Sequence, residues 1–449
     1  MVLFFYIFLH FNSLIMIQEI KIKNYLSFKD EATFSFEATK DTFAEDYQVV
    51  EVAPGVRLLR LAMVYGANAS GKSNLLQALA YLRHFIFYQS ENADEGTHTE
   101  PFLLDQDTQT QPSCFELVFY VNSIKYWYLL KLDTRQVYEE KLYMYNSVQP
   151  TLLFNRELKD KVSVIHFNTA ILRVSMAERE KISLECLRNM SVFAARDKVN
   201  TKIPDIDLAK DWLKFHIMPE ITPDTKLFEY AERKNMENPI LHTHIIDLMR
   251  KADFNITNIS TEIISQSVPD DYINFFLQDN SIPMQEKERL QKERTIKQRR
   301  TLFEHTVTNE IKSTKYSMNR FQESIGTIRF FGVETAIYEC LEGESFLAID
   351  ELENSLHPQL LKLILLNYLR KNTRSQLLIT THYDPLLHEV SRLNDQKIFR
   401  KDSIWFTEKK ESGHTDVYSL EEFSGLNRLS SIQKAYNQGN FGAIPKIDL

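Results

Sequence analysis

The residues with the clearest chemistry form a short loop that is bounded by glycine and ends in lysine and serine. The loop fits GxxxxGK[ST], and it lies between an apolar run, 58–65, and a stretch with helical periodicity. These flanks argue against a chance match on a surface loop. Backbone N–H groups of such a loop cradle a β-phosphate, while the lysine reaches the β- and γ-oxygens and the serine ligates Mg²⁺. The predicted nucleotide-binding residues are Gly66, Ala67, Asn68, Ala69, Ser70, Gly71, Lys72, Ser73 and Asn74.

An acidic pair further along the chain supplies what a phosphate loop alone lacks for hydrolysis. Hydrolysis needs an acidic group near Mg²⁺ and a residue that orients or deprotonates water. Asp350 and Glu351 directly follow a short apolar run, 346–349. Open α/β sheets bind ligands at the carboxyl ends of their strands. We therefore expect Asp350 to hold Mg²⁺ together with Ser73, and Glu351 to act as the catalytic base. An ordinary acidic pair on the surface is the alternative.

A histidine ends the next predicted strand. His382 follows the apolar run 377–379 and two threonines. A neutral imidazole at a strand tip can bond the γ-phosphate or the attacking water, and so report whether the nucleotide is intact. Single histidines are usually structural, but the position one strand after the acidic pair favours a catalytic switch. With Lys72 and Glu351, His382 completes the predicted catalytic set.

The order of these motifs resembles that of the ABC-class ATPases, in particular the SMC and RecF branch. The resemblance implies a signature segment that contacts the γ-phosphate bound by a neighbouring subunit, so that hydrolysis needs a dimer. The sequence contains no LSGGQ, and residues 321–327 stand in its place. Ser324 and Gly326 offer a hydroxyl and an unhindered N–H at a predicted helix start, where anions bind. A plain helix cap is the alternative for these two residues.

Five longer motifs resemble the RloA-like, AbiL-type AAA_15 ATPases of bacterial anti-phage defence loci. The resemblance runs nearly end to end from Met16 and is weakest over 200–300. One departure is Ile325, where the family has an acidic residue, and we expect it to weaken contact with a partner's ATP. The motifs span 20–28, 66–74, 323–327, 350–358 and 441–445.

The resemblance also implies partners. Such ATPases are encoded beside a second protein, often a nuclease or toxin, and OLD-type relatives carry a Toprim-like nuclease at the C-terminus. Only 67 residues follow His382 and they hold no DxD cluster, so we expect no intrinsic nuclease. The implied partners are further copies of the chain in an ATP sandwich and a separate effector, with ATP and Mg²⁺ as cofactors.

The alternation of strands and helices predicts an α/β fold. We expect an ABC-class P-loop ATPase head with a mainly parallel core sheet, an antiparallel β subdomain and a mainly helical insertion. The predicted domains are an N-terminal lobe, 1–158, the insertion, 159–310, and a C-terminal lobe, 311–449. The charged stretch 285–300 lacks a sustained heptad, so we expect a solvated helix or loop. A DNA-facing role for Lys297, Arg299 and Arg300 stays open.

Composition sets broader limits. The 449 residues are 43% hydrophobic and 25% charged, which is typical of a globular chain with two or three domains. The net charge of −8 gives no overall basic excess that would indicate binding to nucleic acid. The three cysteines do not have the spacing of a metal site, and we expect reduced thiols in a cytoplasmic protein. Residues 1–15 are apolar but too short for a membrane span and lack signal-peptide features. We expect Met16 to be the natural start and no membrane association.

The motifs predict an ATP-hydrolysing protein, and the resemblance implies that it is a subunit of an abortive-infection system. ATP-dependent assembly would sense infection and control the effector. Two alternatives stay open. One is a RecF-like DNA-repair ATPase, against which the acidic net charge counts mildly. The other is a structural module that binds ATP without appreciable turnover.

Overall fold

The computed structural model describes residues 15–252, 254–279, 282–308, 312–390 and 397–445. Residues 1–14, on which the predicted start at Met16 rests, lie outside this part. The described chain divides into two compact units. The second unit comprises Lys226–Tyr338 and Ser355–Leu360, and the first comprises the remaining residues.

The strands alternate with helices mainly in the last third of the chain, as the sequence predicts. The strands are β1 (Ile15–Lys23), β2 (Ala32–Ser35), β3 (Val49–Ala53), β4 (Val56–Leu59), β5 (Leu61–Gly66), β6 (Ser113–Val121), β7 (Ile124–Leu132), β8 (Val137–Tyr145), β9 (Thr151–Lys159), β10 (Val162–Phe167), β11 (Ile256–Ser267), β12 (Thr295–Thr308), β13 (Ser313–Asn319), β14 (Phe346–Ile349), β15 (Gln376–Thr380), β16 (Ile404–Lys409) and β17 (Thr415–Ser419).

Most of the described α-helices lie between residues 176 and 293, with two before this stretch and three after it. The α-helices are α1 (Glu45–Gln48), α2 (Lys72–Phe87), α3 (Met176–Glu185), α4 (Val192–Asp197), α5 (Pro204–Phe215), α6 (Phe228–Glu237), α7 (Pro239–Lys251), α8 (Asp270–Gln278), α9 (Met284–Glu293), α10 (Ile325–Glu342), α11 (Pro358–Arg370) and α12 (Ile432–Asn437). Within the part of the chain that the structure describes, no helix is long and apolar enough to cross a bilayer.

A mainly parallel sheet of the first unit confirms the predicted fold class. Its strand order is β14-β15-β5-β16-β17, and β5 runs parallel to both β15 and β16. Every residue of β5 is buried, as expected of a strand covered on both faces. The sequence predicts that segments 403–408 and 415–420 are both closing edge strands. This is wrong for the first segment, because β16 lies between β5 and β17. Sequence periodicity does not specify strand neighbours that are distant along the chain.

The predicted antiparallel subdomain is a seven-stranded sheet with the order β10-β9-β8-β7-β6-β1-β2. Alternating burial along β6 and β8 gives it one face for the core and one for solvent. One apolar core joins this sheet, α2 and the parallel sheet. The buried Gln376 amide ties the two sheets together. Its Oε1 accepts from Ile17 N–H over 2.6 Å, and its Nε2 donates to Ile17 O over 2.9 Å.

The second unit holds helices and, in addition, a three-stranded antiparallel sheet that the sequence does not predict. The sheet has the order β11-β12-β13. The expected solvated helix or loop at 285–300 is a helix only as far as Glu293, and from Thr295 the chain is strand β12. Residues 297–300 are all exposed, so no apolar alternation marks this half of β12 as a strand.

Candidate functional site

The phosphate-loop residues lie between the carboxyl end of β5 and the first turn of α2. Gly66 ends β5, and α2 begins at Lys72 with Gly71 as its N-cap. The first N–H groups of a helix have no acceptor within it and carry the positive end of the helix dipole. Ser73 is half-buried in that first turn, where its hydroxyl is available to a cation beside a bound phosphate. The local arrangement is therefore suited to an anion.

Neighbouring strands fix the shape of the loop. The Ser70 hydroxyl hydrogen-bonds to Thr407 of β16 over 2.6 Å, and the Thr415 hydroxyl donates to Ser70 O over 2.8 Å. Asn74 Nδ2 donates to the Ser27 hydroxyl over 2.7 Å. Ala69 adopts a φ of 59°, which lets the chain turn within the loop.

Both glycines of the motif are required by the available space. A Cβ at Gly66 would lie 2.4 Å from Thr407 Oγ1 and 2.5 Å from Ser70 Oγ. A Cβ at Gly71 would lie 2.3 Å from Thr415 Oγ1, and the φ of Gly71 is +106°. Real Cβ atoms do not approach other heavy atoms so closely, so any side chain here would displace the loop.

Lys72 folds back over the loop. Its Nζ donates to Gly66 O over 3.0 Å and to Ala67 O over 3.1 Å. Burial lowers the pKa of Lys72 to about 8, and the negative charges of Asp350 and Glu351 partly oppose that shift. Burial removes water from the Lys72 ammonium, and its partners here are neutral carbonyl groups. A phosphate that binds beside it would therefore form a strong, charge-assisted hydrogen bond.

The acidic pair lies at the tip of β14, where Thr380 of the neighbouring β15 holds both residues. The Thr380 hydroxyl donates to Asp350 Oδ1 over 2.5 Å, and Glu351 N–H donates to the same hydroxyl over 2.8 Å. Asp350 is buried, with 6% of its surface exposed, whereas the Glu351 side chain is 43% exposed. Glu351 has a φ of 46°, an uncommon value for a residue with a side chain, and such strain concentrates at functional sites.

His382 follows β15 and lies beside the acidic pair. Its Nε2 is 3.8 Å from Glu351 Oε1, and its backbone N–H donates to Glu353. Burial, and next the positive charge of Lys72, lower the pKa of His382, so the imidazole is neutral at physiological pH. A neutral imidazole can both donate and accept a hydrogen bond, and a switch role of His382 stays a prediction.

A cavity of about 840 Å³ opens beside the loop. Three of the last described residues, Ala443, Ile444 and Pro445, form one wall of this cavity. The C-terminal FGAIP motif thus contributes to the same cavity as the phosphate loop. The lining includes Gly66, Ala67, Asn68, Ser70, His382, Thr407, Ala443, Ile444 and Pro445.

The predicted Mg²⁺ ligands do not form a closed metal cage. Within the described ranges, no group of three or more histidine, cysteine, aspartate or glutamate side chains could hold a metal ion by itself. Mg²⁺ at nucleotide sites takes most of its ligands from phosphates and water, with one or two protein oxygens. One hydroxyl, Ser73, and one fixed carboxylate, Asp350, fit that requirement.

Glu220 is a carboxylate near this site that the sequence analysis missed. The segment around it pairs with β14, since Ile221 bridges to Ile349 and Ile221 O accepts from Asp350 N–H over 2.8 Å. Burial, and next the negative charge of Asp350, raise the pKa of Glu220 to about 7. Its Oε1 is buried and, among the described residues, has no hydrogen-bond partner. No local motif marks Glu220, because only long-range pairing brings it to Asp350.

The signature-like segment belongs to the second unit. Ser324 caps α10, because its hydroxyl accepts from Thr327 N–H over 3.0 Å. A Cβ at Gly326 would lie 2.7 Å from Ser355 O, which explains the glycine by packing alone. Ile325 is 77% exposed. Ser324 therefore forms the helix cap that the sequence analysis gave as the alternative to ATP contact. A role of Ser324 and Gly326 in binding ATP stays a prediction.

A family model matches residues 61–169 and 240–387, which together exceed half of the 449 residues. The family is described as "AAA domain, putative AbiEii toxin, Type IV TA system". The chain belongs to this AAA domain family. Both matched stretches carry predicted site residues: the first contains the phosphate loop, and the second contains Ser324, Asp350, Glu351 and His382. Glu220 lies between the two stretches.

Solved structures similar to this member of the AAA domain family are heads of SMC proteins. The SMC head domain from Thermotoga maritima is 13% identical over 90% of this chain and 98% of its own, with a TM-score of 0.39. An Smc head bound to the C-terminal winged-helix domain of ScpA is 10% identical over 90% of this chain and 99% of its own, with a TM-score of 0.38. No curated protein matches the chain.

Proposed function

We propose that this chain binds ATP with Mg²⁺ and hydrolyses it to ADP and phosphate. The proposal is supported by one observation above all. Three adjacent strands, β5, β15 and β14, deliver a phosphate-binding lysine, a neutral histidine and a fixed acidic pair to the same end of one sheet. In this proposal Lys72 and the N-terminus of α2 bind the phosphates, while Ser73 and Asp350 hold Mg²⁺.

The remaining residues suit the chemistry of water attack. Mg²⁺, when bound, neutralises charge that develops on the phosphate oxygens. Glu351 is half-exposed and takes the proton of the attacking water, or orients that water. His382 forms a hydrogen bond near the γ-phosphate. A neutral imidazole has one ring nitrogen that donates and one that accepts, so either kind of bond is possible. Thr380 and Glu353 keep the three side chains in position.

We further propose that two or more copies enclose ATP between the phosphate loop of one and the Ser324 segment of another, in the cytoplasm. ATP state would then control a separate effector, a nuclease or toxin, in defence against phage. The family description, which names a toxin of a toxin–antitoxin system, supports this context.

The hydrolysis proposal is tested by three single variants. Lys72→Ala is expected to abolish nucleotide binding. Glu351→Gln is expected to bind ATP but to release phosphate at least about 100-fold more slowly, as for loss of a general base. Glu411→Gln removes an exposed carboxylate of the first unit and serves as the matched control. Wild-type phosphate release by Glu351→Gln would show that Glu351 is not the base.

The effector proposal is tested with Glu351→Gln protein that is tagged and expressed from its native operon. Complexes that form with Mg-ATP are purified, and their components are identified by mass. A stoichiometric neighbouring protein that is lost in Lys72→Ala would establish effector control. Nucleic acid without a protein partner would instead favour the RecF-like repair ATPase.

A further inference from the structure

The second unit contains a groove that the proposed ATPase chemistry does not use. Its volume is about 630 Å³, and we call it the β12 groove. It lies among the first half of β12, α6 and the residues that follow β13. The side chains that define it are Phe228, Glu232, Lys297, Arg299, Arg320 and Phe321.

The floor of the groove is an open strand edge. β13 pairs with β12 only from Leu302 to Thr308, so within the described residues Thr295 to Thr301 have a strand neighbour on the β11 side alone. Arg294 O accepts from Val268 N–H, and Glu304 O accepts from the Thr257 hydroxyl of β11. Even-numbered residues of β12 therefore bond toward β11.

Backbone groups alternate in direction along a strand. The N–H and C=O groups of Lys297, Arg299 and Thr301 accordingly point toward the side that β13 leaves open. This stretch is seven residues long, or about 23 Å at the usual rise of a strand. Such an edge is a template for an additional strand.

The side chains around this edge combine positive charge with exposed apolar surface. Arg320 lies over the rings of Phe228 and Phe321, 5.0 and 4.7 Å from their centroids. Phe321 is 83% exposed and Ile263 of β11 is 60% exposed. Lys297 is exposed and, among the described residues, forms no ion pair. Alternating apolar and acidic side chains of an added strand would find partners here.

We propose that the β12 groove binds an extended, acidic segment of a partner protein, which adds to β12 as a fourth strand. Backbone hydrogen bonds to the open edge supply the affinity. Lys297, which forms no ion pair among the described residues, selects an acidic side chain, and the exposed ring of Phe321 offers apolar contact. The proposal does not depend on nucleotide chemistry, and it shares with the proposed ATP contact only Phe321, the first residue of the segment 321–327.

Nucleic acid suits the groove less well. Arg320 pairs with Glu229 over 2.6 Å, and Arg299 pairs with Glu232 over 3.0 Å. A phosphate backbone carries a charge at every nucleotide and would approach both of these carboxylates. A strand that uses backbone bonds needs only one or two acidic side chains at matching positions.

The first experiment measures binding of a labelled seven-residue peptide of alternating glutamate and valine to the full chain by fluorescence anisotropy. We expect saturable binding that weakens with salt. An equivalent lysine–valine peptide and a fifteen-nucleotide poly-dT strand are the competitors, and neither is expected to displace the labelled peptide. Absence of binding up to about 1 mM, or displacement by poly-dT, would overturn the proposal.

A second experiment tests the added strand itself. In one peptide the glutamate nitrogens are methylated, and in the other the valine nitrogens are. Alternate N–H groups of a strand face opposite edges, so only one methylated set blocks the bonds to β12. We expect one peptide to lose binding and the other to retain it. Equal binding of both peptides would exclude strand addition.

Two charge-reversal variants locate the site. Lys297→Glu is expected to weaken peptide binding at least about fivefold, because it replaces an attraction between Lys297 and an acidic side chain by a repulsion. Lys292→Glu makes the same change on the exposed surface of α9 and is expected to leave binding unchanged. Nucleotide binding is measured in parallel and should be the same in both variants, which separates this test from that of the proposed ATPase. Equal weakening by both variants would place the peptide elsewhere.

Discussion

The Thr380 hydroxyl donates a hydrogen bond to Asp350 Oδ1 over 2.5 Å and accepts one from Glu351 N–H over 2.8 Å. One buried side chain of β15 thus orients both acidic residues at the tip of β14. Within the part of the chain that the structure describes, Asp350 Oδ2 accepts no hydrogen bond, and this oxygen can face a cation or its water ligand. The preorganisation of the acidic pair therefore depends on a residue outside the usual motif.

Replacement of this hydroxyl by a methyl group tests that dependence. Thr380→Val keeps the side-chain volume, removes both hydrogen bonds and is expected to lower kcat about tenfold, with a higher Mg²⁺ requirement. Thr381→Val is the matched control, since the Thr381 hydroxyl accepts from Tyr383 N–H and, among the described residues, does not bond the acidic pair. Phosphate release is measured across a Mg²⁺ titration. Equal kinetics of the two variants would show that Thr380 does not position the acidic pair.

A second prediction concerns the space around Gly71. Gly71→Ala is expected to abolish nucleotide binding, because the new Cβ would lie 2.3 Å from Thr415 Oγ1 and the φ of +106° disfavours any side chain. Gly55→Ala is the control. Gly55 also has a positive φ, +76°, but a Cβ there meets no atom within 4 Å. The control should lose roughly 1 kcal/mol of stability from backbone strain and bind nucleotide normally. Titration with a fluorescent ATP analogue distinguishes the two.

The sequence predicts the elements of the site well because dense local patterns specify them. The strand predicted at 376–380 coincides with β15, and the helix predicted at 73–90 is α2, which begins one residue earlier and ends three residues earlier. The glycines of the phosphate loop can be recognised from a segment of about ten residues. The same is true of the short apolar strand that ends in the acidic pair. The predicted roles of these residues stay predictions until they are tested.

The parts that sequence reasoning missed depend on contacts between distant segments. Glu220 has no motif of its own, and only the pairing of Ile221 with Ile349 brings it to Asp350. The position of β16 inside the sheet follows from its pairing with β5, more than 300 residues earlier. Residues 297–300 of β12 are all exposed and polar. This part of the strand therefore lacks the alternation of apolar and polar residues by which a strand is recognised in a sequence.

Glu220 provides a third prediction. Its Oε1 is buried and has no hydrogen-bond partner in the described ranges, and the charge of Asp350 helps to raise its pKa. A cation bound at this site would therefore favour the ionised form of Glu220. Glu220→Gln keeps the shape and removes the charge, so we expect nucleotide binding to require about tenfold more Mg²⁺. Asp224→Asn changes an exposed carboxylate of the same segment and should leave the Mg²⁺ requirement unchanged. An unchanged requirement in Glu220→Gln would assign Glu220 a structural role only.

The last prediction concerns the stability of the protein at different pH values. Glu334 lies in α10 with 1% of its surface exposed, and burial raises its pKa to about 8 from an ordinary value of 4.5. Between these two values the folded state binds a proton that the unfolded state has released. The contribution of Glu334 to the free energy of unfolding is therefore complete below about pH 4.5. It decreases as the pH rises from about 4.5 to about 8, and it does not change further above pH 8.

Glu334→Gln removes this dependence, because the amide is neutral at every pH. We expect the variant to melt near the wild-type temperature at pH 5 and at a higher temperature at pH 8.5, where ionised Glu334 costs the wild type on the order of 3–5 kcal/mol. Glu342→Gln changes an exposed carboxylate of the same helix and should follow the wild type at both values. Thermal melts at the two pH values give the comparison. If Glu334→Gln melted below the wild type at pH 8.5, Glu334 would be ionised and stabilised by partners rather than held neutral by burial.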